Sequence, residues 1–331
     1  MRYIIIGAGA VGGAIGGRLA EAGHEVVLVA RGRHHEALRD GGLRLGTPDG
    51  TLTLAIPAVD RPEALELRPG DVLVLAVKTQ DSSALLESWA GRPVAGGGTA
   101  AELLPLVCAQ NGVENERLAL RRFRHVYGMC VWLPATHLEP GMIAAPGAPL
   151  TGILHIGRYP SGTDGTAERI SADLEKAAFL APVVPDVMRW KYAKLLSNLS
   201  NALEAVCGPV REEEALGLRR RAVAEGETVL AAAGIAYASR EEQAEVRGDR
   251  VRLLPVGGVE RGGGSSWQSL ARATGSIESD YLNGEIALLG RLHGVATPVN
   301  TTLQRVANAF ARERRAPGSM PVSDLLALIG P

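Results

Sequence analysis

Cysteine, lysine and aromatic residues are scarce in this chain of 331 residues. The three cysteines, Cys108, Cys130 and Cys207, are odd in number and widely spaced. They exclude a disulfide framework and any metal site with the usual cysteine spacing. Such usage is typical of a reducing compartment, where thiols serve as small core residues. We therefore expect a cytoplasmic protein without a bound metal.

Long apolar runs and an excess of one charge are also missing. No run approaches the ~20 apolar residues that span a bilayer, and Tyr3–Ile6 ends at Gly7, too soon for a signal peptide. The formal net charge is −1, because acidic and basic residues nearly cancel. The arginine clusters at 121–124 and 219–221 are short and fit solvated helix faces. We expect neither a nucleic-acid partner nor a membrane contact.

Lysine occurs only at Lys78, Lys176, Lys191 and Lys194, and every other basic residue that carries a fixed charge is arginine. In such a chain a lysine indicates a position that requires a compact ammonium, whose pKa can be shifted by its surroundings, in place of a guanidinium. Lys176 lies in a charged run and is interpreted as solvated. The other three lysines are candidates for a site.

The first half alternates short β-branched apolar runs with helical patterns. The predicted elements are strands at Tyr3–Ile6, Glu25–Ala30, Asp71–Val77, Leu104–Gln110 and Val126–Trp132, with helices at Ala14–Ala22, Ser82–Ala90 and Thr166–Leu180. This alternation predicts a doubly wound parallel sheet. Residues 141–158 are interpreted as a terminal hairpin on that sheet.

After Pro182 and Pro185 the pattern changes to long helical periodicity. The predicted helices are Met188–Val206, Ala215–Ala233, Trp267–Leu292 and Pro298–Arg312, with a mobile loop at Gly248–Gly264. The expected fold class is therefore α/β plus all-α. We expect the sheet domain to cover residues 1–182 and an all-helical domain to cover residues 183–331.

A G-x-G-x-x-G run, Gly7-Ala8-Gly9-Ala10-Val11-Gly12, follows the first predicted strand and opens a helix. In this context the run predicts a dinucleotide site. Gly7 permits the tight turn, Gly9 lets the backbone approach the pyrophosphate, and Gly12 allows close packing of helix and strand. The free N–H groups of the helix N-terminus then face the phosphates.

The end of the second strand distinguishes between the two nicotinamide cofactors. An NAD site usually carries a carboxylate there to bind the ribose 2′-hydroxyl. This chain has Ala30 followed by Arg31, Gly32 and Arg33. A guanidinium pairs with a 2′-phosphate, which a carboxylate would repel. The sequence therefore predicts NADPH, bound through Arg31.

Polar residues in apolar surroundings mark a candidate site. Lys78 and Asn111 each follow a predicted strand, although Asn111-Gly112 also fits an ordinary turn. At about 100° per residue, Lys191, Lys194, Asn198 and Asn201 lie on one face of the predicted Met188–Val206 helix. A solvated face would normally carry Glu or Arg. This face is therefore interpreted as facing the substrate, with a surface or interdomain hydrogen-bonding role as the alternative.

Two further segments leave their roles open. Ser265 and Ser266 precede Trp267 and fit either an N-cap or a substrate contact. Glu278 lies in the run Ile277–Gly284 and is either a surface acid or part of a site. Spacing alone does not decide between these readings.

Taken in order, these motifs resemble those of the ketopantoate reductase family over nearly the whole chain. The matching segments are the glycine run, Arg31, Val77-Lys78-Thr79, Gln110-Asn111-Gly112, Lys194–Asn198, Ser265-Ser266 with Gln268, and Ile277–Gly284. The resemblance implies a helical C-terminal domain related to that of 6-phosphogluconate dehydrogenase. It also implies NADPH-dependent reduction of ketopantoate, a 2-oxo acid, on the way to pantothenate and coenzyme A, and a homodimer. Residues 1–182 are therefore the expected Rossmann NADP-binding domain, and residues 183–331 are the expected helical substrate and dimerisation domain.

The same resemblance implies roles for individual residues. Lys194 would be the proton donor to the carbonyl oxygen, and Asn198 and Ser266 would bind the substrate. Lys78, Asn111 and Glu278 would lie around the cofactor, with Glu278 also in the catalytic group. Because a lysine with a pKa near ~10.4 is a poor acid at neutral pH, we expect burial and the cations of Lys78 and Lys191 to lower the pKa of Lys194.

The chain departs from the family pattern at two places. Family members carry a second asparagine two helical turns after the lysine, where this chain has Ala202, so Asn201 is the candidate replacement. Trp267 occupies a position where smaller or more flexible residues are common. Two alternatives therefore stay open: a sibling reductase of another 2-oxo acid or carbonyl, and a non-catalytic NADP(H)-binding sensor.

Overall fold

The computed structural model describes residues 1–257 and 263–329, except for the side chain of Leu138. The strands are β1 Arg2–Ile6, β2 Glu25–Val29, β3 Leu43–Thr47, β4 Gly50–Leu54, β5 Ala58–Val59, β6 Asp71–Leu75, β7 Pro105–Cys108, β8 His125–Trp132, β9 Thr136–Glu139, β10 Met142–Ala144, β11 Gly147–Pro149, β12 Gly152–Arg158, β13 Phe179–Leu180 and β14 Val251–Leu253.

The α-helices are α1 Ala10–Glu21, α2 Gly32–Gly41, α3 Thr79–Ala90, α4 Ala100–Leu103, α5 Asn115–Leu120, α6 Gly165–Lys176, α7 Val187–Asn198, α8 Asn201–Cys207, α9 Glu213–Ala232, α10 Arg240–Arg247, α11 Ser265–Ala271, α12 Asn283–His293, α13 Pro298–Arg312 and α14 Val322–Ile329. Two 3-10 turns lie at Pro62–Ala64 and Glu278–Tyr281. None of the helices in the described ranges combines the length and apolar character needed to cross a bilayer.

The main sheet has the strand order β13-β12-β8-β7-β6-β1-β2-β5. All of its strand pairs are parallel except that of β12 with β8. Side chains alternate between its two faces: Tyr3 and Ile5 join one core cluster, while Ile4 and Ile6 join the other. Burial on both faces explains why these strands are continuous apolar runs. The predicted doubly wound sheet is confirmed.

The predicted hairpin at residues 141–158 is wrong in its details. Only β12 pairs with the main sheet. Strand β10 belongs to a four-stranded sheet of order β4-β3-β10-β9, and β11 pairs with β14. The partners β3 and β14 are distant in sequence, so local alternation did not reveal these pairings. The predicted helix Thr166–Leu180 likewise ends at Lys176, and its last residues form the short strand β13.

Contacts divide the chain into two compact units. The first comprises Met1–Lys191 and the described part of Ser239–Arg261, and the second comprises Tyr192–Ala238 and the described part of Gly262–Pro331. The division falls within α7. The predicted boundary between residues 182 and 183 stays a prediction of domain organisation.

The segment that returns to the first unit consists of α10 and β14. Strand β14 pairs with β11 in antiparallel register. The guanidinium carbon of Arg247 lies 4.1 Å from the ring centroid of Trp132, and Arg189 Nη2 lies 3.0 Å from Glu242 Oε2. The predicted loop Gly248–Gly264 thus contains a strand, and its residues 258–262 lie outside the described chain.

The second unit is helical, as predicted, but two of its predicted helices are each interrupted. The helix expected at Met188–Val206 is α7 and α8, separated by Leu199 and Ser200. The helix expected at Trp267–Leu292 is α11, a 3-10 turn and α12. The chain leaves α11 through positive φ angles at Ala273 (50°) and Gly275 (76°), which end a right-handed helix.

Candidate active site

The glycine loop connects β1 to α1 at the carboxyl edge of the main sheet. Gly7 has a φ of 100°, and an added Cβ would lie 2.5 Å from Cγ1 of Val77. The N–H groups of Gly7 and Ala8 both donate to the carbonyl of Val29, at 3.1 and 3.0 Å. Only glycine fits this turn without strain.

The other two glycines of the run have opposite surroundings. A Cβ added at Gly9 would meet nothing within 4 Å, whereas at Gly12 it would lie 2.9 Å from Ile5 Cγ2 and 3.0 Å from Ala76 Cβ. Gly9 is the N-cap of α1 and has no side chain to cap the helix. The first N–H groups, at Ala10 and Val11, lie beyond the reach of intrahelical bonds. This open helix N-terminus fits a pyrophosphate group.

His34 connects the glycine loop to the turn between β9 and β10. The Gly141 N–H donates to Nδ1 of His34 at 3.0 Å. The ring proton is therefore on Nε2, which donates to the carbonyl of Ala8 at 2.7 Å. Burial lowers the pKa of His34, against a smaller opposing effect of the Ala8 bond. No local sequence pattern marks this residue, since its bonds join segments that are far apart in the chain.

The predicted 2′-phosphate contact lies after β2. Ala30 is buried and follows the strand, while Arg31 is exposed and is the N-cap of α2. Arg33 in the first turn of α2 is exposed as well. Strand β2 is the neighbour of β1 in the sheet. Two guanidinium groups therefore follow the strand next to the glycine loop, and no carboxylate stands at the strand end.

Lys78 and Asn111 follow two neighbouring strands of the same sheet edge. Lys78 is the N-cap of α3 after β6, and half-buried Asn111 follows β7. The residue before Asn111, Gln110, donates from Nε2 to Ser82 Oγ at 2.9 Å and to Asn115 Oδ1 at 3.1 Å. This buried network fixes the loop that carries Asn111. Gln110 is thus a support for the loop.

Lys191 is not the free cation that we expected near Lys194. It is 2% exposed, forms a buried ion pair with Glu116, and donates from Nζ to the carbonyl of Gln110 at 3.1 Å. Burial raises the pKa of Glu116, and the charge of Lys191 opposes this rise. Glu116 balances the charge of Lys191, so Lys191 is not an unpaired cation beside Lys194, and the expected lowering of the pKa of Lys194 stays a prediction. Glu116, from α5, was missed because nothing in the sequence couples it to Lys191.

In the second unit, α7 carries Lys194 and Asn198 one helical turn apart. Lys194 is half-buried and Asn198 is 5% exposed. Asn201 was expected on the same helix face, but it opens α8 after the interruption, so the argument from a continuous helix no longer applies to it. Its assignment to the substrate stays a prediction.

Asn201 lies beside the start of α11, which carries Ser266. A Cβ added at Gly264 would be 3.8 Å from Asn201 Oδ1. The N–H of Gly264 donates to Glu204 Oε2 at 3.0 Å. Ser266 is 4% exposed. The N-cap of α11 is Gly264, so neither Ser265 nor Ser266 is the N-cap. The structure thus places Asn201 and Ser266 on neighbouring helices.

The surroundings of α11 also explain why Trp267 matters. A Cβ added at Gly263 would lie 2.5 Å from Cγ of Trp267. The indole therefore packs against the backbone directly before α11. A smaller residue at position 267 would leave the space beside Gly263 open.

Glu278 begins a 3-10 turn that is held on α13 by the residues after it. Ser279 Oγ donates to Asn308 Oδ1 at 2.8 Å. Asp280 Oδ1 accepts from Gln304 Nε2 at 2.7 Å and from Asn308 Nδ2 at 2.6 Å. Glu278 itself is half-buried. Its turn is therefore fixed in place, although Asp280 is exposed. Within the described residues no group of three or more His, Cys, Asp or Glu side chains could hold a metal ion.

A Rossmann unit with an open glycine loop, followed by a helical unit with a lysine and buried amides, defines a two-domain protein of the dinucleotide-binding fold class. The family model described as ketopantoate reductase PanE/ApbA matches residues 3–161, and the model of its C terminal matches residues 186–311. The chain belongs to the ketopantoate reductase family, as the sequence motifs predicted.

Individual relatives agree with this assignment. A 2-dehydropantoate 2-reductase of Mesorhizobium japonicum is 30% identical, covering 95% of this chain and 99% of the relative. A PanE/ApbA family ketopantoate reductase from Ralstonia eutropha has a TM-score of 0.76 at 27% identity, covering 95% of this chain and 100% of that one. D-mandelate dehydrogenase with NADH and anilino(oxo)acetate has a TM-score of 0.80 at 21% identity, covering 96% and 100%, which is a likeness of fold alone.

Proposed function

We propose that this protein reduces a 2-oxo acid to a 2-hydroxy acid with NADPH, and that ketopantoate, which yields pantoate, is its substrate. One observation carries the proposal: half-buried Lys194 lies one turn before buried Asn198 on α7, in a chain with only four lysines. Family membership supports the same reaction. The product would enter pantothenate and coenzyme A biosynthesis.

The cofactor assignment is supported by the edge of the first unit. The open N-terminus of α1 would bind the pyrophosphate, with Gly7, Gly9 and Gly12 shaping the loop. Arg31 would pair with the 2′-phosphate, since no carboxylate follows β2. Lys78 and Asn111 would contact the cofactor from the ends of β6 and β7. NADPH supplies the hydride, from C4 of its nicotinamide ring.

The residues of the second unit would stabilise and protonate the substrate. Negative charge develops on the carbonyl oxygen as the carbonyl carbon is reduced. The ammonium of Lys194 would stabilise that charge and then donate its proton to the oxygen. Asn198, Asn201 and Ser266 would bind the substrate's carboxylate and hydroxyl oxygens. Glu278 would be a catalytic residue and would also lie near the cofactor.

To test this, the purified protein is mixed with NADPH and each member of a panel of 2-oxo acids that includes ketopantoate. The oxidation of NADPH is monitored as a loss of near-ultraviolet absorbance. We expect ketopantoate to give the highest kcat/KM. Turnover of another 2-oxo acid alone would overturn the substrate and keep the reaction. NADPH binding without turnover of any panel member would favour the non-catalytic sensor.

A second candidate is a sibling reductase that acts on a different 2-oxo acid or carbonyl. Two observations favour it: buried Ala202 occupies the position of the family's second asparagine, and Trp267 packs against Gly263. Ala202 and Trp267 directly follow Asn201 and Ser266 along the chain, and those two residues are proposed to bind the substrate. The panel assay distinguishes this candidate from the first.

We further propose that the protein is a cytoplasmic homodimer. Support comes from family membership and from the apolar surface of α12, where Leu288 is 45% and Leu292 is 67% exposed. Sedimentation measurements at several protein concentrations would test the dimer.

A further inference from the structure

The interruption between α7 and α8 lies directly after Asn198. The N–H of Leu199 makes a long bond to the carbonyl of Leu196, at 3.4 Å, and the first bond of α8 joins the Glu204 N–H to the carbonyl of Ser200, at 2.9 Å. The carbonyl of Leu199 lies between these two sets of helical bonds. Because Leu199 is fully buried, this carbonyl needs a partner from the protein.

Asn283, the first residue of α12, supplies that partner. It is fully buried and donates from Nδ2 to the carbonyl of Leu199 at 2.9 Å. Its second donor hydrogen goes to Asn300 Oδ1, also at 2.9 Å. The two acceptors fix the orientation of the amide. Asn283 therefore acts as a double donor, to the interruption between α7 and α8 and to α13.

Asn300 extends the connection to α9 and α13. Its Nδ2 donates to the carbonyl of Ala222 at 2.9 Å and to Glu225 Oε2 at 2.8 Å. The same carboxylate accepts from the N–H groups of Val299 and Asn300 at the start of α13, at 2.8 and 2.9 Å. Asn300 is fully buried as well. The side-chain donors of both amides thus have acceptors, and Asn300 Oδ1 is one of the two acceptors that orient Asn283.

The network joins the two elements that carry the proposed catalytic residues of the second unit. Asn283 follows the 3-10 turn of Glu278 along the chain, and Ser279 and Asp280 hold that turn on α13. At the other end of the network, the Asn283 amide binds the carbonyl of Leu199, the residue directly after Asn198. A shift of the Asn283 amide would therefore move the end of α7 relative to the turn of Glu278.

We propose that Asn283 is a positioning residue: through its bond to Leu199 it sets the interruption after α7, and so the placement of Asn198 and Lys194 relative to Glu278. The proposal rests on the proposed function for its activity readout. It assigns to Asn283 no contact with the substrate or the cofactor.

The test variant is Asn283→Asp, which keeps the shape of the side chain. It replaces the NH2 group, and with it both donor hydrogens, by an oxygen that faces the Leu199 carbonyl and Asn300 Oδ1. We expect kcat/KM for the 2-oxo acid to fall about 10- to 100-fold, because small misplacements of catalytic groups cost rates of this size. The affinity for NADPH, measured by fluorescence titration, should change less than about twofold, since the bond lies outside the glycine loop.

The matched control is Asn300→Asp, which also places a carboxylate in the network but retains an acceptor for Asn283. It should lower the melting temperature, because it faces Glu225, while kcat/KM per folded molecule stays close to wild type. Both variants are assayed well below their melting temperatures. Equal losses of kcat/KM in the two variants, or no loss in Asn283→Asp, would overturn the positioning role.

Hydrogen–deuterium exchange gives a readout that does not depend on turnover. In Asn283→Asp, amides of residues 198–205 should exchange faster than in both the wild type and Asn300→Asp. If the wild-type protein reduces no 2-oxo acid, the proposed function fails, and this exchange pattern still decides whether Asn283 sets the interruption. Unchanged exchange in this segment would contradict the proposal.

Discussion

At the scale of single residues, Lys191 and Lys194 lie less than one helical turn apart but have different surroundings. Helical periodicity placed both on one face, and for Lys194 this interpretation stays compatible with its half-buried position. For Lys191 it was wrong, because Glu116, 75 residues earlier, pairs with its ammonium. A local pattern shows which way a side chain points along a helix. It does not show which distant side chain meets it.

The first residue-scale prediction concerns Lys194. Lys194→Ala should lower kcat by orders of magnitude and leave the affinity for NADPH nearly unchanged, because the proposed proton donor is removed and the proposed cofactor contacts remain. Steady-state kinetics and fluorescence titration would measure the two quantities. Lys176→Ala, at an exposed position on α6, is the control and should retain full activity. A collapse of NADPH binding in Lys194→Ala would instead place Lys194 in the cofactor site.

The second concerns Arg31. Arg31→Asp should raise KM for NADPH far more than KM for NADH, because a carboxylate repels the 2′-phosphate and accepts from a 2′-hydroxyl. The ratio of the two KM values is the measurement. Arg121→Asp, which introduces the same charge change at another exposed position, should leave that ratio unchanged. Equal effects of Arg31→Asp on both cofactors would contradict the assignment.

The glycine loop shows where sequence reasoning succeeds at this scale. Gly7, Gly9 and Gly12 have the surroundings that the motif predicts, because the strand–turn–helix context sets both the turn and the close packing of α1 on the sheet. His34 holds the same loop and was missed, since its bond to Ala8 spans 26 residues and no local rule marks it.

At the scale of elements, a helix was predicted best where its ends carry local signals. Helix α13 begins at Pro298 and ends at Arg312, as predicted, because proline suits the first helical position. The end of α7 carries no such signal. Leu199 and Ser200 interrupt the helix where Asn283 supplies a hydrogen-bond donor from a different part of the chain. Periodicity therefore predicted one helix where the structure has two.

The element-scale prediction tests how the first half of α7 is attached to α5. Lys191→Met leaves the carboxylate of Glu116 buried without its cation, so the free energy of unfolding should fall by about 3–5 kcal/mol. The double variant Lys191→Met/Glu116→Gln should recover most of this loss, since no buried charge remains. Urea unfolding followed by circular dichroism measures both.

The control for this prediction is Arg220→Met, which breaks the exposed pair with Glu213. Exposed pairs contribute about 0–1 kcal/mol, so this variant should be close to wild type. A loss in Lys191→Met no larger than in Arg220→Met would contradict the importance of the buried pair.

At the scale of the whole molecule, one buried imidazole links global stability to pH. His155 on β12 is 2% exposed and stacks on Trp190 with ring centroids 3.9 Å apart. Burial lowers the pKa of His155 to about 4. The folded protein therefore favours the neutral ring, and the unfolded chain takes up the proton first as the pH falls.

The corresponding prediction has a defined sign. Above pH ~6.5, His155 does not lower the free energy of unfolding, because the ring is neutral in both states. As the pH drops from there to ~4, protonation of the unfolded chain lowers this free energy by about 3 kcal/mol. Denaturant unfolding at a series of pH values would measure the slope. His155→Phe keeps an aromatic ring against Trp190 and should flatten the slope in this range. His293→Gln, at an exposed position, should not change it.

The segment of α10 and β14 has a consequence for how such chains recombine during evolution. The two family models match the chain as successive halves, at residues 3–161 and 186–311. The strand that pairs with β11, and the guanidinium over Trp132, are nevertheless encoded within the second half. A single genetic crossover between two family members would give the first half a foreign β14. A hybrid that inherits both units intact needs two further exchanges, one on each side of this segment.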